Sequence, residues 1–269
     1  MSFTPESRTT GDASGEHTPG PVPGPETAAG PSPAAAEPTN RWVYNPLTMG
    51  PVYDAFVIGW SHEHFWGISN KVIHELYDTH LGRVHADVGV GTGHFLRGAL
   101  RRRREDLAGR RLHLLDNSPS SLNATSRRVL RNTRGTGLEV DARRCDALAA
   151  WPLPDASVDS VGTTMMLHCL PDEDGRGFPA KAAVLTEAAR VLRPGGSFFG
   201  CTVLGERDPA PISRSGERMR RVYNTRENIF HNTGDTAAQF ESLLGEAFGD
   251  SAQTRVRTVG ATLVWEVVR

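Results

Sequence analysis

The chain of 269 residues is poor in several features that would assign it to a class at once. It has three cysteines, Cys145, Cys169 and Cys201, with neither CxxC spacing nor a histidine at zinc-site distance. That excludes a disulfide scaffold and reads as small buried thiols in a reducing compartment. Lysine is almost missing: 28 of the 30 basic residues are arginine, and only Lys71 and Lys181 are lysine. Codon usage and selection for bidentate anion contacts both produce such a bias, and abundance alone does not separate them. No run approaches the ~18–20 apolar residues that span a bilayer. The N-terminus lacks a basic segment followed by an apolar one, so no signal peptide is expected. A cytoplasmic protein that does not insert in membranes is the expectation.

What is present is unevenly distributed. Residues 1–40 hold eight of the 18 prolines, and their only large apolar side chains are Met1, Phe3 and Val22. Five acids against Arg8 give this stretch a charge of −4, so the net −1 of the whole leaves +3 for residues 41–269. A segment with so little to bury does not offset the entropy of ordering, and residues 1–40 are expected to be disordered. A helical lid is expected over residues 41–81 and the main domain over 82–269.

Beyond the tail, short apolar runs alternate with helical patterns. Val84–Val90, Arg111–Leu115, Leu138–Arg143, Val158–Met165 and Ser197–Leu204 read as strands. Phe95–Glu105, Ser120–Asn132 and Pro179–Leu192 read as helices, the last with a 3,4-spaced stripe of Phe178, Ala182, Leu185, Ala189 and Leu192. Arg193-Pro194-Gly195-Gly196 is expected to stop that helix and turn the chain. The alternation predicts a mostly parallel, doubly wound α/β sheet. Thr254–Val259 and Ala261–Val268, hinged at Gly260, predict a closing antiparallel pair.

The most informative run is Asp87-Val88-Gly89-Val90-Gly91-Thr92-Gly93, at the end of the first strand and the start of a helix. Glycines there let the chain turn sharply and let a ligand approach the backbone. The helix start behind them offers unpaired N–H groups. Dinucleotide sites use GxGxxG, whose third glycine falls here on His94, so the pattern favours S-adenosylmethionine (SAM) over NAD. Asp116, followed by Asn117, ends the second strand, where a carboxylate can accept both hydroxyls of a ribose. Asp146-Ala147 follows the third strand, where the acid can accept from an adenine amino group. Each acid alone reads as a turn or cap residue; their order behind the glycine loop favours the cofactor reading.

Asp87–Gly93, Asp116, Cys145-Asp146-Ala147, Leu153–Val161 and Leu192–Gly196 resemble, in order, the motifs of class I SAM-dependent methyltransferases. The match covers roughly residues 82–204. It implies a Rossmann-like fold with an antiparallel last strand and SAM as cofactor. It also implies that Asp87, Gly89, Gly91, Thr92 and Gly93 lie against the methionine part of SAM, Asp116 with Asn117 at the ribose, and Asp146 with Ala147 at the adenine. The DNA amino-methylating tetrad, the Pro-Cys dipeptide of RNA cytosine enzymes and the paired-glutamate loop of protein arginine enzymes are missing. The remainder resembles small-molecule methyltransferases of bacterial and fungal secondary metabolism, which share Tyr44–Leu47, Tyr53-Asp54, Leu167–Pro171 and Tyr223-Asn224 through Asp235.

Acceptor residues are read from position. His168, just past the fourth strand, suits a proton acceptor or a histidine that fixes the turn. Among His62, Glu63 and His64, one is a candidate base, Glu63 and His64 being preferred. Histidines at i,i+2 do not share a helix face, so no metal is expected. Tyr44, Tyr53, Trp60, Phe65 and Trp66 line an acceptor pocket or form the lid core. Arg214, Arg218 and Arg221 share one helical face that either holds an anionic acceptor or is solvated; Tyr223 and Asn224 accompany them. If the face holds an anion, C-methylation of an isoprenyl diphosphate is one version. Residues 101–144, with 12 arginines against five acids, keep an RNA-modifying or nucleic-acid-binding role as a lesser alternative. A homo-oligomer is compatible with everything above.

Overall fold

The computed structural model describes residues 60–269. Tyr44, Tyr53, the tail and most of the expected lid lie outside the described residues. The described chain runs α1 (Asn70–His80), β1 (Val84–Val88), α2 (His94–Arg102), β2 (Arg111–Asp116), α3 (Pro119–Asn132), β3 (Glu139–Arg144) and β4 (Val158–Thr164). It continues with α4 (Ala182–Val191), β5 (Leu192–Val203), α5 (Arg214–Thr225), α6 (Ala237–Phe248), β6 (Gln253–Val259) and β7 (Thr262–Val268). Single helical turns stand at His62–His64, Leu167–Cys169 and Phe178–Lys181.

The strands form one sheet in the order β3-β2-β1-β4-β5-β7-β6. The first five are parallel, and β7 runs antiparallel between β5 and β6. This is the mostly parallel sheet with a closing antiparallel pair that the strand pattern predicts, and the Rossmann-like fold that the resemblance implies. The order reverses between β1 and β4, so a crevice opens outside the carboxyl ends of those strands.

Each face of the sheet has its own core. On one, Ile73, Leu76 and Tyr77 of α1 and Phe95, Leu96, Ala99 and Leu100 of α2 pack with Leu112, Leu114 and Phe199. On the other, Val184, Leu185 and Ala188 of α4 meet Val158, Val161 and Phe198, while Phe240 and Leu244 of α6 meet Trp265. Burial of one such aliphatic or aromatic side chain contributes roughly 1.5–3 kcal/mol. The i, i+3, i+4 spacing of these residues is what makes both helix layers form.

Three local expectations need correction. Helix α6 was not read from the sequence, although Thr236 and Gln239 form a reciprocal capping box directly before Phe240. Arg193–Gly196 does not separate helix from strand. Leu192 already pairs with Val158, and the ladder resumes at Ser197 opposite Ser160, so the four residues bulge out of β5. Gly195 takes a positive φ of 78° there, and its N–H donates to the Arg269 carbonyl at 2.7 Å. The first strand ends at Val88 rather than Val90, because the glycine loop begins at once.

Candidate active site

The loop Gly89–Gly93 hangs from the carboxyl end of β1 and runs into α2. Its three glycines have different reasons to be glycine. A Cβ on Gly89 would lie 2.2 Å from Cγ of Met166, and one on Gly93 would lie 2.5 Å from Cγ2 of Thr125. Those two are set by packing. Among the described residues, a Cβ on Gly91 would meet nothing within 4 Å, so none of them fills the space in front of Gly91. The loop is braced from behind by α3: the Thr125 hydroxyl donates to the Gly91 carbonyl at 2.8 Å, and Arg128 donates to the Thr92 carbonyl at 3.0 Å.

Two carboxylates flank that space. Asp116, at the end of β2, accepts from the Gly91 N–H at 3.2 Å and the Ser118 N–H at 2.8 Å. Burial pushes its pKa up to about 6, against those donors. Asp87 is 3% exposed and accepts from the Tyr77 hydroxyl at 2.8 Å. The same hydroxyl is 3.1 Å from Oγ1 of Thr164. Burial and the neighbouring Asp87 raise the Tyr77 pKa well above the usual phenol range, so Tyr77 remains a donor. Asp146, exposed past β3, caps its own turn by accepting from the Leu148 N–H at 3.0 Å. Ala147 is buried, its carbonyl accepting from the Trp151 indole. Asn117 is exposed and holds Arg144 through its carbonyls.

Across the crevice, β4 is followed by Met165, a non-glycine residue at φ 55°, a conformation that costs on the order of 1–3 kcal/mol. The turn Leu167–Cys169 follows. His168 is 3% exposed, and its Nδ1 accepts from the Val203 N–H at 3.3 Å and from the Thr202 hydroxyl at 3.0 Å. The Val203 backbone N–H can only donate, so Nδ1 holds the lone pair and the ring proton sits on Nε2. Burial, with the nearby Lys181 charge, lowers its pKa to about 3. The expected base is therefore a neutral N–H donor in this setting, and its Nδ1 fixes the turn. Phe230 stacks beside it at 4.2 Å, and Trp66 and Tyr223 complete an aromatic wall at 5.5 and 5.0 Å from Phe230.

Other expected residues do not converge on the crevice. Glu63 and His64 are exposed, and His64 stacks on Trp60 at 4.6 Å. His62 is the buried member of the trio at 3%. Arg214, Arg218 and Arg221 all face solvent, with Arg221 engaged by Glu217 at 3.4 Å. The buried arginine of α5 is Arg220, on the opposite face, donating to the carbonyls of Leu204 and Gly205. Asn224 is spent on the protein itself: its amide N–H donates to Asn232 Oδ1 at 2.8 Å and to the Arg220 carbonyl at 3.0 Å, and its oxygen accepts from the Asn232 N–H at 3.2 Å.

Sequence reasoning missed the latch behind the aromatic wall. Lys181 and Asp235 are both fully buried, with Nζ 2.9 and 2.7 Å from the two carboxylate oxygens. Nζ also donates to the His231 carbonyl at 2.9 Å, and the His231 N–H donates to the His168 carbonyl at 2.7 Å. A signal existed: one of only two lysines in an arginine-rich chain stands in an otherwise apolar stretch. Its compact ammonium has the three donors this cage uses.

Comparison with known proteins agrees with this geometry. A family model described as a methyltransferase domain matches residues 86–200. Demethylluteothin O-methyltransferase of Streptomyces thioluteus is 33% identical over 214 residues, covering 80% of this chain and 86% of that protein. O-methyltransferase NEC2 of Pyricularia oryzae is 31% identical over 234 residues, covering 77% and 84%. Among solved structures, a Haemonchus contortus phosphoethanolamine N-methyltransferase bound to S-adenosylhomocysteine superposes with a TM-score of 0.56 at 14% identity, covering 85% of this chain and 58% of that one.

Proposed function

The chain belongs to the class I methyltransferases, and from that premise we propose that it methylates a hydroxyl of a small organic acceptor with SAM as donor. The observation that carries the reading is the space at Gly91 that no described residue fills, beside the Asp116 carboxylate and at the point where strand order reverses. The residues present fit the cofactor. Gly91 leaves room that a side chain would take, the Asp116 oxygens suit a ribose diol, and Asp146, exposed past β3, has a carboxylate that suits an adenine amino group. Asp87, held by Tyr77, offers a fixed anion toward the methionine end. SAM supplies a sulfonium methyl, which passes to the acceptor oxygen as the C–S bond breaks and its electron pair stays on sulfur. The protein's part is to hold the acceptor against Phe230, Trp66 and Tyr223 and to manage its proton; positioning supplies most of the catalysis in such a step.

The relatives' names support a hydroxyl acceptor in secondary metabolism. The solvated face of Arg214, Arg218 and Arg221 removes the support for a diphosphate acceptor. Several arginines of residues 101–144 are already engaged, Arg102 with Asp78, Arg111 with Glu139 and Arg143 with Asp141, which gives a nucleic-acid role little to stand on. Calorimetry tests the reading directly. Losing one charge-assisted partner is worth about 1.5–3 kcal/mol, so Asp116→Ala should weaken SAM binding about 10–100-fold. Gly91→Arg should abolish it. Tight binding kept in both variants defeats the assignment.

A further inference from the structure

His62 is a buried titratable group that the reading above leaves unused. It lies in the single turn His62–His64, and its ring stacks on Phe95 of α2 at 5.9 Å, next to the helix start that closes the glycine loop. Four residues on, Trp66 stands 5.5 Å from Phe230, which in turn lies 4.2 Å from His168. The segment 62–66 therefore reaches from the start of α2 to the aromatic wall beside the histidine turn. Its Nδ1 is 2.8 Å from Oδ1 of Asn70. A carbonyl oxygen only accepts, so Nδ1 carries the proton and Nε2 carries the lone pair.

The two histidines therefore have opposite tautomers, each set by protein groups. His168 has its lone pair tied up at Nδ1 and its proton on Nε2. His62 has its proton tied up at Nδ1 and its lone pair on Nε2. We infer that His62 is the proton acceptor for the substrate hydroxyl, that Asn70 positions it, and that His168 donates its Nε2–H to the same oxygen. In the step, the hydroxyl proton moves to His62 Nε2, the oxygen forms its bond to the methyl carbon, and the C–S bond breaks toward sulfur. His62 leaves as an imidazolium with Nδ1–H still on Asn70, then returns its proton to water. This rests on the O-methyl transfer proposed above.

The groups facing His62 are consistent with a base that is neutral before reaction. Asn70 lies on α1, with His74 beyond it and 5.1 Å from Phe95. His94 stands at the start of α2, and Lys181 lies behind His168. Glu63 and His64 on its own turn point to solvent. Burial outweighs the Asn70 hydrogen bond and lowers the His62 pKa.

Two measurements on the full chain test the inference. Long-range ¹H–¹⁵N correlation of the imidazole rings, with His62→Gln and His168→Gln for assignment, should give His62 as the Nδ1–H tautomer and His168 as the Nε2–H tautomer. The reverse tautomer at His62 overturns the proposal whether or not an acceptor is known. Second, labelled SAM is offered with 4-methoxyphenol and with 4-nitrophenol, whose hydroxyl is largely ionised in mild alkali. General-base catalysis is typically worth about 10²–10⁴-fold, so His62→Gln and His62→Ala should lose about that factor on 4-methoxyphenol and little on 4-nitrophenolate. Asn70→Asp, which still accepts from Nδ1–H, should retain turnover and shift the pH profile upward. Equal losses on both phenols, or a loss in His62→Ala alone with a lowered melting temperature, make His62 structural. If neither phenol is turned over, the tautomer decides. Failure of SAM to bind the wild-type chain would instead count against the methyltransferase reading.

Discussion

The proposed donor and acceptor ends of the crevice are built on different principles. The donor end is a short contiguous loop, Gly89–Gly93, with one acid just before it in the chain and another at the end of the neighbouring strand. Its partners are mostly close in the chain, Asp116 on the neighbouring strand and Thr125 and Arg128 of the helix after it, with Tyr77 and Met166 brought from farther away to Asp87 and Gly89. The acceptor end is assembled from segments far apart in the chain: His62, the turn Leu167–Cys169, Lys181, Tyr223 and the loop Phe230–Asp235. The turn, Lys181 and the loop are joined by hydrogen bonds, while His62 is held by Asn70, so the acceptor end depends on tertiary structure more than the donor end does.

Separating the ends by mutation tests that contrast, and the largest effect should come from the latch. Lys181→Met leaves Asp235 buried without its partner, and breaking a buried pair this way costs about 3–5 kcal/mol. Urea unfolding should show that loss, and Lys181→Met with Asp235→Leu should recover much of it. If SAM still binds the folded fraction in the cold, the ends are separable; if binding vanishes with the latch, they are one unit.

A smaller effect should follow pH at the donor end. With its pKa raised to about 6, Asp116 protonates as pH falls, and a neutral carboxyl accepts less well. SAM affinity measured by calorimetry should fall about tenfold one unit below that value, and Asp116→Asn should flatten the profile. The stability linkage has the opposite direction. Because the folded pKa lies above the unfolded one, the Asp116 contribution is fully present below the unfolded pKa and is lost as pH rises through about 6. Asp116→Asn should therefore raise the melting temperature in mild alkali more than in acid.

The smallest effect should be at the arginine face of α5. Arg218→Ala and Arg221→Ala should change stability by no more than about 0.5 kcal/mol, the ordinary worth of an exposed helix pair. Acceptor KM should stay put. A rise of about tenfold in KM would bring that face back into the site.

Legibility follows the same divide. The positions of the glycine loop, Asp116 and Asp146 at or just past strand ends were readable, because a glycine-rich turn after a strand, followed by an acid near the end of each next strand, is a local pattern with a local cause. The arginine face of α5 was read correctly as a face, but helical spacing does not say which side meets the core. The structure turns Arg220 inward and leaves Arg214, Arg218 and Arg221 in water. Among His62, Glu63 and His64 the sequence reading preferred Glu63 and His64, and the structure buries His62 instead. Only the packing of Phe95 and the reach of Asn70 separate them.

The sequence by itself determined the strand–helix alternation, the parallel sheet with its antiparallel end and the donor loop. All of these follow from periodicity and backbone chemistry within a few residues. Only the tertiary structure decided which glycine has space in front of it that no described residue fills, which ring nitrogen of His168 and of His62 carries the proton, and which lysine is buried with which acid. Those depend on a neighbour supplied by a distant segment: Val203 for His168, Asp235 for Lys181, Met166 for Gly89. A lone pair or a charge takes its role from the partner across the fold, and that partner is not written beside it in the chain.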